Sequence, residues 1–309
     1  PPPPPPTPPL DNLRRQRQMC IRDRVTDVLI THAHADHITG LLPFIRSRIG
    51  EWPVCRVYGP PGIADNVAGL LAGILWDRAG QRAPRFDVRE LHGADIRRFI
   101  VAAGQRDPEP QATTACVDGC LLSDEHVTIH AVELDHKTPV LAFSIKPAAN
   151  VRVRSDRLEA RGLEPGPWLT VLRDKLLAGQ SDAQIELPGG EVSSASSLGV
   201  ELCIVEPPQR LGYATDLSDT PSNRARLLEI AAGAHTLCLE AAFCIADVEQ
   251  AERTGHLTTR ACAELARQAG VKQLIPFHFS RRYESDAAGV YAEIAQIFPN
   301  TIMPAVVKQ

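Results

Sequence analysis

Residues 25–37 read VTDVLITHAHADH, an apolar run that ends in three histidines and one aspartate. The apolar run, residues 25–31, predicts a buried β-strand. Imidazole and carboxylate are the ligands of zinc and related divalent ions, and a loop after a strand lets alternate side chains converge on one point. This density of ligands favours a metal site over a polar surface loop. The four candidate ligands are His32, His34, Asp36 and His37.

Strand and helix patterns alternate through the remainder of the chain. Apolar runs predict further strands, and apolar residues at helical spacing predict helices between them. Such alternation is typical of an α/β protein in which helices cover the sheets. The predicted strands are 25–31, 54–58, 126–134, 140–146, 211–215, 236–240 and 271–277, and the predicted helices are 38–49, 223–232, 258–269, 287–298 and one that begins at Ile63.

Two segments do not fit this alternation. Residues 1–9 hold eight prolines and predict a disordered polyproline tract, and residues 10–24 hold five arginines without a helical or alternating pattern. We interpret 1–24 as a non-native segment from cloning or sequence assembly, and the alternative is a genuine basic arm that binds nucleic acid. Residues 150–200 carry a Gly/Pro cluster and a Ser-rich end. The sequence therefore predicts one domain over 25–309, with an inserted arm at about 150–195.

The composition excludes several classes of protein. With 309 residues, 44% of them hydrophobic, the chain can form a core and is neither fibrous nor wholly disordered. No apolar run approaches the roughly 18–20 residues of a membrane-spanning helix. The eight cysteines include no CxxC pair, so we expect buried thiols in a reducing compartment, the cytoplasm. The formal charge of −4 provides no general basic field for nucleic acid.

Three further candidate ligands each follow a predicted strand. His136 follows the strand 126–134, Asp216 follows 211–215 and His278 follows 271–277. Ligands in α/β proteins gather at the carboxyl ends of strands. Together with the first cluster, these residues could complete two coordination shells. Asp219 is an alternative to Asp216, which we prefer because it directly ends its strand.

These residues carry a resemblance to a known family. An HxHxDH cluster followed by a lone His, an Asp and a late His resembles the metallo-β-lactamase superfamily. Within it, the stretches 134–136 (LDH), 239–243 (LEAAF), 255–258 (GHLT) and 278–283 (HFSRRY) are similar to those of the ribonuclease Z family. The resemblance covers about residues 25–298. It implies a metallo-β-lactamase-like four-layer αββα sandwich, here lacking its first strands, and a metal-dependent endonuclease that trims the 3′ side of precursor transfer RNA.

The resemblance also implies a division of the ligands between two divalent metal ions, and the His-rich set favours zinc. Asp216 would bridge the ions, and Asp36 would hold the nucleophile or accept its proton. Asp219 competes for the bridging role because the family pattern is Asp followed by Thr. One ion would take His32, His34 and His136, and the other would take Asp36, His37 and His278.

A second implied group transfers a proton. Glu240 and His256 resemble the family's pair that orients a proton donor for the leaving alkoxide, with a buried ion pair as the alternative. The sequence departs from the family on both sides of this pair. Leu239 stands where the family has a His before the Glu, and Leu257 stands where it has a Ser after the His.

Substrate contacts are implied in two places. The stretch 162–167 (GLEPGP) resembles the start of the family's protruding arm, which holds the transfer RNA elbow. The implied substrate-binding residues are Gly166, Pro167, Arg281 and Arg282, and the implied assembly is a homodimer. A metallo-hydrolase of the same fold that acts on small phosphodiesters or other esters is the alternative function, and a metal-poor, non-enzymatic binding protein is a third.

Overall fold

The computed structural model describes residues 25–50 and 53–304. The described residues contain two six-stranded sheets. The first has the order β1-β2-β3-β4-β5, with β6 also paired to β4, and β1, β2 and β3 are parallel. Its strands are β1 (Asp27–Leu29), β2 (Cys55–Gly59), β3 (Arg85–His92), β4 (Asp95–Ala102), β5 (Glu109–Pro110) and β6 (Thr114–Ala115).

The second sheet has the order β16-β15-β14-β9-β8-β7, and its strands β14, β15 and β16 are parallel. Helices connect these three strands, which is the arrangement expected of parallel neighbours. The strands are β7 (Cys120–Ser123), β8 (Val127–Asp135), β9 (Pro139–Pro147), β14 (Leu211–Ala214), β15 (Thr236–Glu240) and β16 (Gln273–Phe277).

Helices pack on both sheets and bury an apolar core on each. The first core includes β2, β3 and the third helix, and the second includes β14, β15 and the last helices. Each fully buried Leu, Ile or Phe contributes about 1.5–3 kcal/mol relative to an exposed one. The helices are α1 (Ala35–Ile38), α2 (Leu41–Ser47), α3 (Ile63–Ala72), α7 (Pro221–Ala231), α8 (Val248–Thr254), α9 (Thr259–Gln268) and α10 (Ala287–Ala295).

A distant carboxylate caps helix α3. Gly62 precedes the helix with φ +88°, a conformation that favours glycine. Oε1 of the buried Glu90 accepts hydrogen bonds from the backbone N–H groups of Gly62 (3.0 Å) and Ala64 (2.9 Å). Since the first N–H groups of a helix have no intrahelical partner, Glu90 on β3 satisfies them and attaches the helix to the sheet.

Residues 123–128 and 145–210 form a second compact unit. Its strands pair as β10 with β13 and β11 with β12, both antiparallel. It has its own buried cluster, which includes Leu158, Trp168, Leu172 and Leu198. The predicted arm at about 150–195 falls within this unit and stays a prediction. The elements are β10 (Asn150–Val153), β11 (Gln184–Glu186), β12 (Val192–Ser194), β13 (Cys203–Glu206), α4 (Ser155–Ala160), α5 (Pro167–Leu177) and α6 (Ala195–Leu202).

The predicted elements are mostly present, with shifted ends. The strand predicted at 236–240 is β15, and the helix predicted to begin at Ile63 is α3. The helix predicted at 38–49 is confirmed in part: α2 covers its middle, and a break at Thr39 and Gly40 separates α2 from the short helix α1. The hairpin of β3 and β4 was not predicted. The predictions for residues 1–24 lie outside the described residues. Over the ranges that the structure describes, no helix is long and apolar enough to cross a membrane.

Candidate metal centre

The two sheets bring the predicted ligands together at the carboxyl ends of their strands. The parallel strands β14, β15 and β16 end at the same edge of the second sheet. Thr31 accepts a backbone hydrogen bond from Leu141 on β9 (2.9 Å), which fixes the chain that leaves β1 beside the second sheet. The site residues are His32 after β1, His136 after β8, Asp216 after β14, Glu240 at the end of β15 and His278 after β16.

Six imidazole rings form a continuous cluster at this edge. The centroids of the contacting rings lie 4.3 to 5.9 Å apart. Burial lowers the pKa of His32 to about 4, with the neighbouring histidines acting in the same direction and Asp216 opposing them. Burial also lowers the pKa of His136. Both rings are therefore neutral at neutral pH, the form that binds metal. The six rings are His32, His34, His37, His136, His256 and His278.

Asp216 lies at the centre of the cluster and is 2% exposed. Its Oδ2 is 2.7 Å from His37 Nε2 and 3.5 Å from His32 Nε2. Its Oδ1 is 3.4 Å from both His256 Nδ1 and His278 Nε2. Burial alone would raise its pKa, but the contact with His37 and the charges of the histidines outweigh burial and hold the pKa of Asp216 well below its usual range. A permanently ionised carboxylate thus faces four imidazoles.

Two of the site residues have a left-handed backbone. Asp216 has φ +53° and His278 has φ +61°. This conformation is uncommon for residues other than glycine, and such residues concentrate at functional sites. The backbone turns sharply where β14 and β16 end, and the turn directs both side chains into the cluster.

His136 is oriented by the backbone of Gly255. Its Nδ1–H donates to the carbonyl oxygen of Gly255 at 2.7 Å, which leaves Nε2 available as a ligand. Gly255 has φ +77°, and a Cβ at this position would lie 2.9 Å from Ser218 Oγ and 3.3 Å from His136 Nδ1. Only glycine therefore permits this close approach of the two segments.

Glu240 and His256 form the predicted pair. His256 Nδ1 is 2.8 Å from Glu240 Oε2, and Glu240 is fully buried. The other carboxylate oxygen, Oε1, accepts a hydrogen bond from the backbone N–H of Leu217 at 2.7 Å. The carboxylate is thus fixed from both sides, and Nε2 of His256 is directed away from it. Leu239 and Leu257, the two departures from the family, are buried in the apolar core beside the pair.

Asp36 and His278 form the outer part of the cluster. Asp36 lies in the first turn of α1, and its side chain is 71% exposed. Its Oδ2 is 3.4 Å from His37 Nε2 and 3.9 Å from His278 Nε2. Burial opposes protonation of His278, but the carboxylates of Glu240, Asp216 and Asp36 prevail and raise its pKa.

The donor set fits divalent metal ions. Asp216 Oδ2 and His278 Nδ1 are buried without an oriented hydrogen bond from any described residue, although His37 Nε2 lies 2.7 Å from the former. Imidazoles and an ionised carboxylate that converge on one point are what a divalent cation requires. His32 Nε2 and His34 Nδ1 lie 3.0 Å apart and form a hydrogen bond with each other. Three groups bring their ligand atoms within 4.8 Å of one another: Asp36 with His37 and His278; His32 with His37 and Asp216; and Asp216 with Glu240, His256 and His278. The rings of His34 and His136 border these groups.

The remaining predicted site residues lie elsewhere. Asp219 is outside the cluster, where its carboxylate binds Arg224 at 2.5 and 2.9 Å. Gly166 and Pro167 begin helix α5 in the second compact unit. Arg281 and Arg282 begin a short 3-10 helix that follows His278, and the guanidinium of Arg282 lies 5.2 Å from the centroid of the Phe243 ring.

Sequence reasoning missed Asn223, which joins two ligand-bearing segments. Its side chain is 2% exposed and makes three hydrogen bonds to backbone groups of Asp135 and Ser218. Asp135 precedes His136, and Ser218 follows Asp216 by two residues. Thr220 and Pro221 do mark the start of helix α7, as an N-cap and a first-turn proline. Nothing in the sequence marks a bond between residues 88 positions apart.

Comparisons with known proteins place the chain in a family. A sequence profile of the metallo-β-lactamase superfamily matches residues 14–115, and the match begins before the first described residue. The chain is 33% identical over 276 residues to a ribonuclease Z of Deinococcus radiodurans, and the aligned stretch covers 88% of this chain and 81% of that protein. It is 30% identical over 283 residues to a ribonuclease Z of Geobacillus kaustophilus, and the aligned stretch covers 90% of this chain and 78% of that protein. The solved metallo-β-lactamase fold protein YhfI of Bacillus subtilis is similar in fold, with a TM-score of 0.51, 12% identity and coverage of 94% and 78%.

Proposed function

Since the chain belongs to the ribonuclease Z family of the metallo-β-lactamase superfamily, we propose that it is a cytoplasmic metal-dependent endoribonuclease that hydrolyses a phosphodiester at the 3′ side of precursor transfer RNA. The fold is the predicted four-layer αββα sandwich of that superfamily. The prediction that its first strands are lacking concerns residues outside the described ranges and stays a prediction. One observation carries the proposal: a buried, ionised Asp216 is surrounded by four imidazoles at the carboxyl edge of three parallel strands.

Two divalent ions at this cluster would supply Lewis-acid activation of water and would neutralise charge on the reacting phosphate. We assign Asp216 as the shared ligand because its Oδ2 lies 3.5 Å from His32 Nε2 of one set and its Oδ1 lies 3.4 Å from His278 Nε2 of the other. The abundance of imidazole favours zinc over magnesium. The residues proposed for the two ions are His32, His34 and His136 on one side, and Asp36, His37 and His278 on the other.

The proton steps are assigned to residues on opposite sides of Asp216. Asp36 is exposed and lies between His37 and His278, so it can accept a proton from the attacking water. His256 is held by Glu240 through Nδ1, which leaves Nε2 to donate a proton to the leaving alkoxide. Neither leucine beside the pair provides a hydrogen bond, so the backbone N–H of Leu217 supplies the support that fixes Glu240.

We assign substrate contacts to Arg281 and Arg282 beside the metal centre and to Gly166 and Pro167 in the predicted arm. Residues 145–210 contain eight basic and nine acidic residues, so this segment provides no net positive charge. Arg161, for example, is bound by Glu191 at 2.6 Å and by Glu201 at 2.5 Å. Contact between the arm and RNA would therefore depend on local backbone and shape complementarity more than on general charge attraction.

We further propose that the protein is a homodimer. The groove between α2 and the end of α3 measures about 730 Å³ and is lined mostly by apolar residues. Leu75 in this groove is 83% exposed and Ile74 is 38% exposed. Exposed apolar patches mark protein interfaces, and a second copy would cover this one. Sedimentation of the wild type and of Leu75→Asp tests it: the variant should be a monomer, and a wild-type monomer would refute the proposal.

The role of His256 separates an RNA-cleaving enzyme from a hydrolase of activated esters. The alkoxide of a ribose leaves poorly without a proton donor, whereas p-nitrophenolate leaves readily. His256→Ala should therefore lower kcat on precursor transfer RNA by about 10²–10⁴ and change hydrolysis of bis(p-nitrophenyl) phosphate little. His235→Ala, which removes a histidine outside the cluster, is the matched control. Equal loss on both substrates would reject the proton-donor role, and activity on the aryl ester alone would favour the small-substrate function.

A further inference from the structure

Two segments that follow the parallel strands β15 and β16 are held side by side. Ser280 N–H donates to the carbonyl oxygen of Ala242 at 3.0 Å. The side chains then continue the contact, because Asp247 Oδ1 accepts a hydrogen bond from Arg282 at 2.6 Å and its Oδ2 accepts one from the hydroxyl of Tyr283. That hydroxyl also accepts a hydrogen bond from the backbone N–H of Cys244 at 3.0 Å. Asp247 is therefore the point at which the two segments are joined.

The arrangement places the guanidinium of Arg282 beside the proposed proton donor. Its Cζ lies 5.2 Å from the centroid of the Phe243 ring, and that ring lies 6.1 Å from the ring of His256. Phe243 is buried, and its backbone bonds to Leu257 (3.3 Å) and Thr259 (2.7 Å), which both follow His256 closely in the chain. A single fixed ring thus separates the guanidinium from the imidazole.

Arg282 retains the capacity to bind an anion. Its side chain is 43% exposed. Among the described residues it donates a hydrogen bond only to Asp247, and the donor is its Nη1. The guanidinium has five N–H donors in a planar fork that matches phosphate oxygens. Asp247 on one side and the Phe243 face on another restrict the rotamers of Arg282, so less conformational entropy is lost when a phosphate binds.

A cation at this edge also compensates for the charge of the site. Asp36, Asp216 and Glu240 all lie in the cluster, and the chain as a whole is acidic. An RNA strand brings further phosphates besides the one that is cleaved, and these gain nothing from the metal ligands. The guanidinium of Arg282, which the Phe243 ring separates from His256, is suited to bind one of these other phosphates.

We propose that Asp247 is a positioning residue that holds Arg282 against Phe243 as the contact for a non-scissile phosphate of the RNA strand, on the His256 side of the metal centre. The inference rests on the proposed function, since it assumes an RNA substrate. It extends that function by assigning a role to Asp247 and by limiting the role of Arg282 to phosphates that a small phosphodiester lacks.

The test compares Arg282→Ala, Asp247→Ala, Asp247→Asn and the double variant with wild type, and Arg267→Ala on α9 serves as a control for the loss of one exposed charge. Each variant is assayed on precursor transfer RNA and on bis(p-nitrophenyl) phosphate. We expect Arg282→Ala and Asp247→Ala to raise KM for the RNA about 5–10-fold, the effect of one exposed charge-assisted contact, with kcat within about twofold. The KM for the small ester should change less than the KM for the RNA, and Asp247→Asn, which keeps one acceptor oxygen, should lie between wild type and Asp247→Ala.

Two readouts separate positioning from a structural role. Loss of one phosphate contact should reduce the slope of log KM against log salt by about 0.7, the value for single strands. The double variant should be no worse than Arg282→Ala, because both changes remove the same contact. A merely structural role for Asp247 would instead lower activity on both substrates and leave the salt slope unchanged, which would overturn the proposal.

Failure of the proposed function has a different signature. If the wild type does not cut precursor transfer RNA, the proposed function is rejected, and the inference is judged on the binding of a fluorescent single-stranded RNA 12-mer. A lower affinity and a smaller salt slope in Asp247→Ala would then support the phosphate contact. Unchanged binding in both Asp247→Ala and Arg282→Ala would reject it.

Discussion

Asn223 provides the most quantitative prediction, because its three hydrogen bonds join the segments that carry His136 and Asp216. Its Oδ1 accepts from the N–H of Asp135 at 2.9 Å, and its Nδ2 donates to the carbonyl oxygens of Asp135 and Ser218, both at 2.8 Å. Replacing Asn223 by Ala leaves the N–H of Asp135 without its partner in a part-buried location, at a cost of about 1–3 kcal/mol.

The two carbonyl groups lose less. The carbonyl oxygen of Asp135 also accepts from Ser218 N–H, and that of Ser218 also accepts from Thr220 N–H, both at 2.9 Å. Each loses one of two bonds, which adds about 0.5–1 kcal/mol per group. The expected loss for Asn223→Ala is therefore about 2–5 kcal/mol in the free energy of unfolding, together with weaker metal binding because two ligand segments are no longer joined.

Urea unfolding in the presence of a chelator measures the first effect without any contribution from metal. Competition with a fluorescent chelator measures the second effect, the loss of zinc affinity. Ser222→Ala, at the exposed neighbouring position, should change neither by more than about 0.5 kcal/mol. A loss below about 1 kcal/mol with unchanged zinc affinity would contradict this expectation, because the substitution removes all three hydrogen bonds of Asn223 at once.

Three other predictions follow from the structure. Hydrogen bonds from Arg89 and Arg98 outweigh the effect of burial and hold the pKa of Asp87 below its usual range. Asp87 therefore stabilises the fold at neutral pH, and this contribution is lost as the pH falls below about 4. Asp87→Asn should cost about 1–3 kcal/mol in urea unfolding at pH 7 and less at pH 3. Gly119→Ala should destabilise the protein more than Gly104→Ala in thermal unfolding, because both have positive φ but only at Gly119 does the added Cβ overlap the carbonyl oxygen of Ala131; equal losses would mean that backbone strain alone matters. Each zinc ion at 100 times its Kd should add about 2.7 kcal/mol to the stability of the metal-free protein, and an unchanged unfolding midpoint would contradict zinc binding to the native state.

The candidate site could be predicted because its chemistry is concentrated in sequence. Residues 32–37 hold four of the proposed ligands, and each later ligand directly follows or lies close to the end of an apolar strand. The carboxyl ends of parallel strands meet at one edge, so this local pattern indicates a shared location. The helix predicted over 38–49 is present only as α2, because the first helical turn lies inside the ligand cluster and the chain breaks at Thr39 and Gly40.

What the sequence did not reveal depends on contacts between distant residues. The strand β3 was missed because Asp87 and Glu90 interrupt its apolar pattern, yet both are buried. Their burial is possible only because Arg98 on the next strand pairs with Asp87, and the N-terminus of α3 binds Glu90. The contact of Asp247 with Arg282 spans 35 residues in the same way. Hydrophobic periodicity reports local burial and carries no information about such partners.

Cleavage of a precursor transfer RNA with a 3′ extension, under control of the metal content, tests the central claim most directly. We expect the zinc-loaded protein to make one cut at the 3′ side of the transfer RNA. A chelator should abolish this cleavage, and added zinc should restore it. Asp216→Asn should have no activity with or without added zinc. Full cleavage by the chelated protein or by Asp216→Asn would contradict a metal centre around Asp216. Hydrolysis of a small phosphodiester without any cut in the RNA would contradict the proposed substrate.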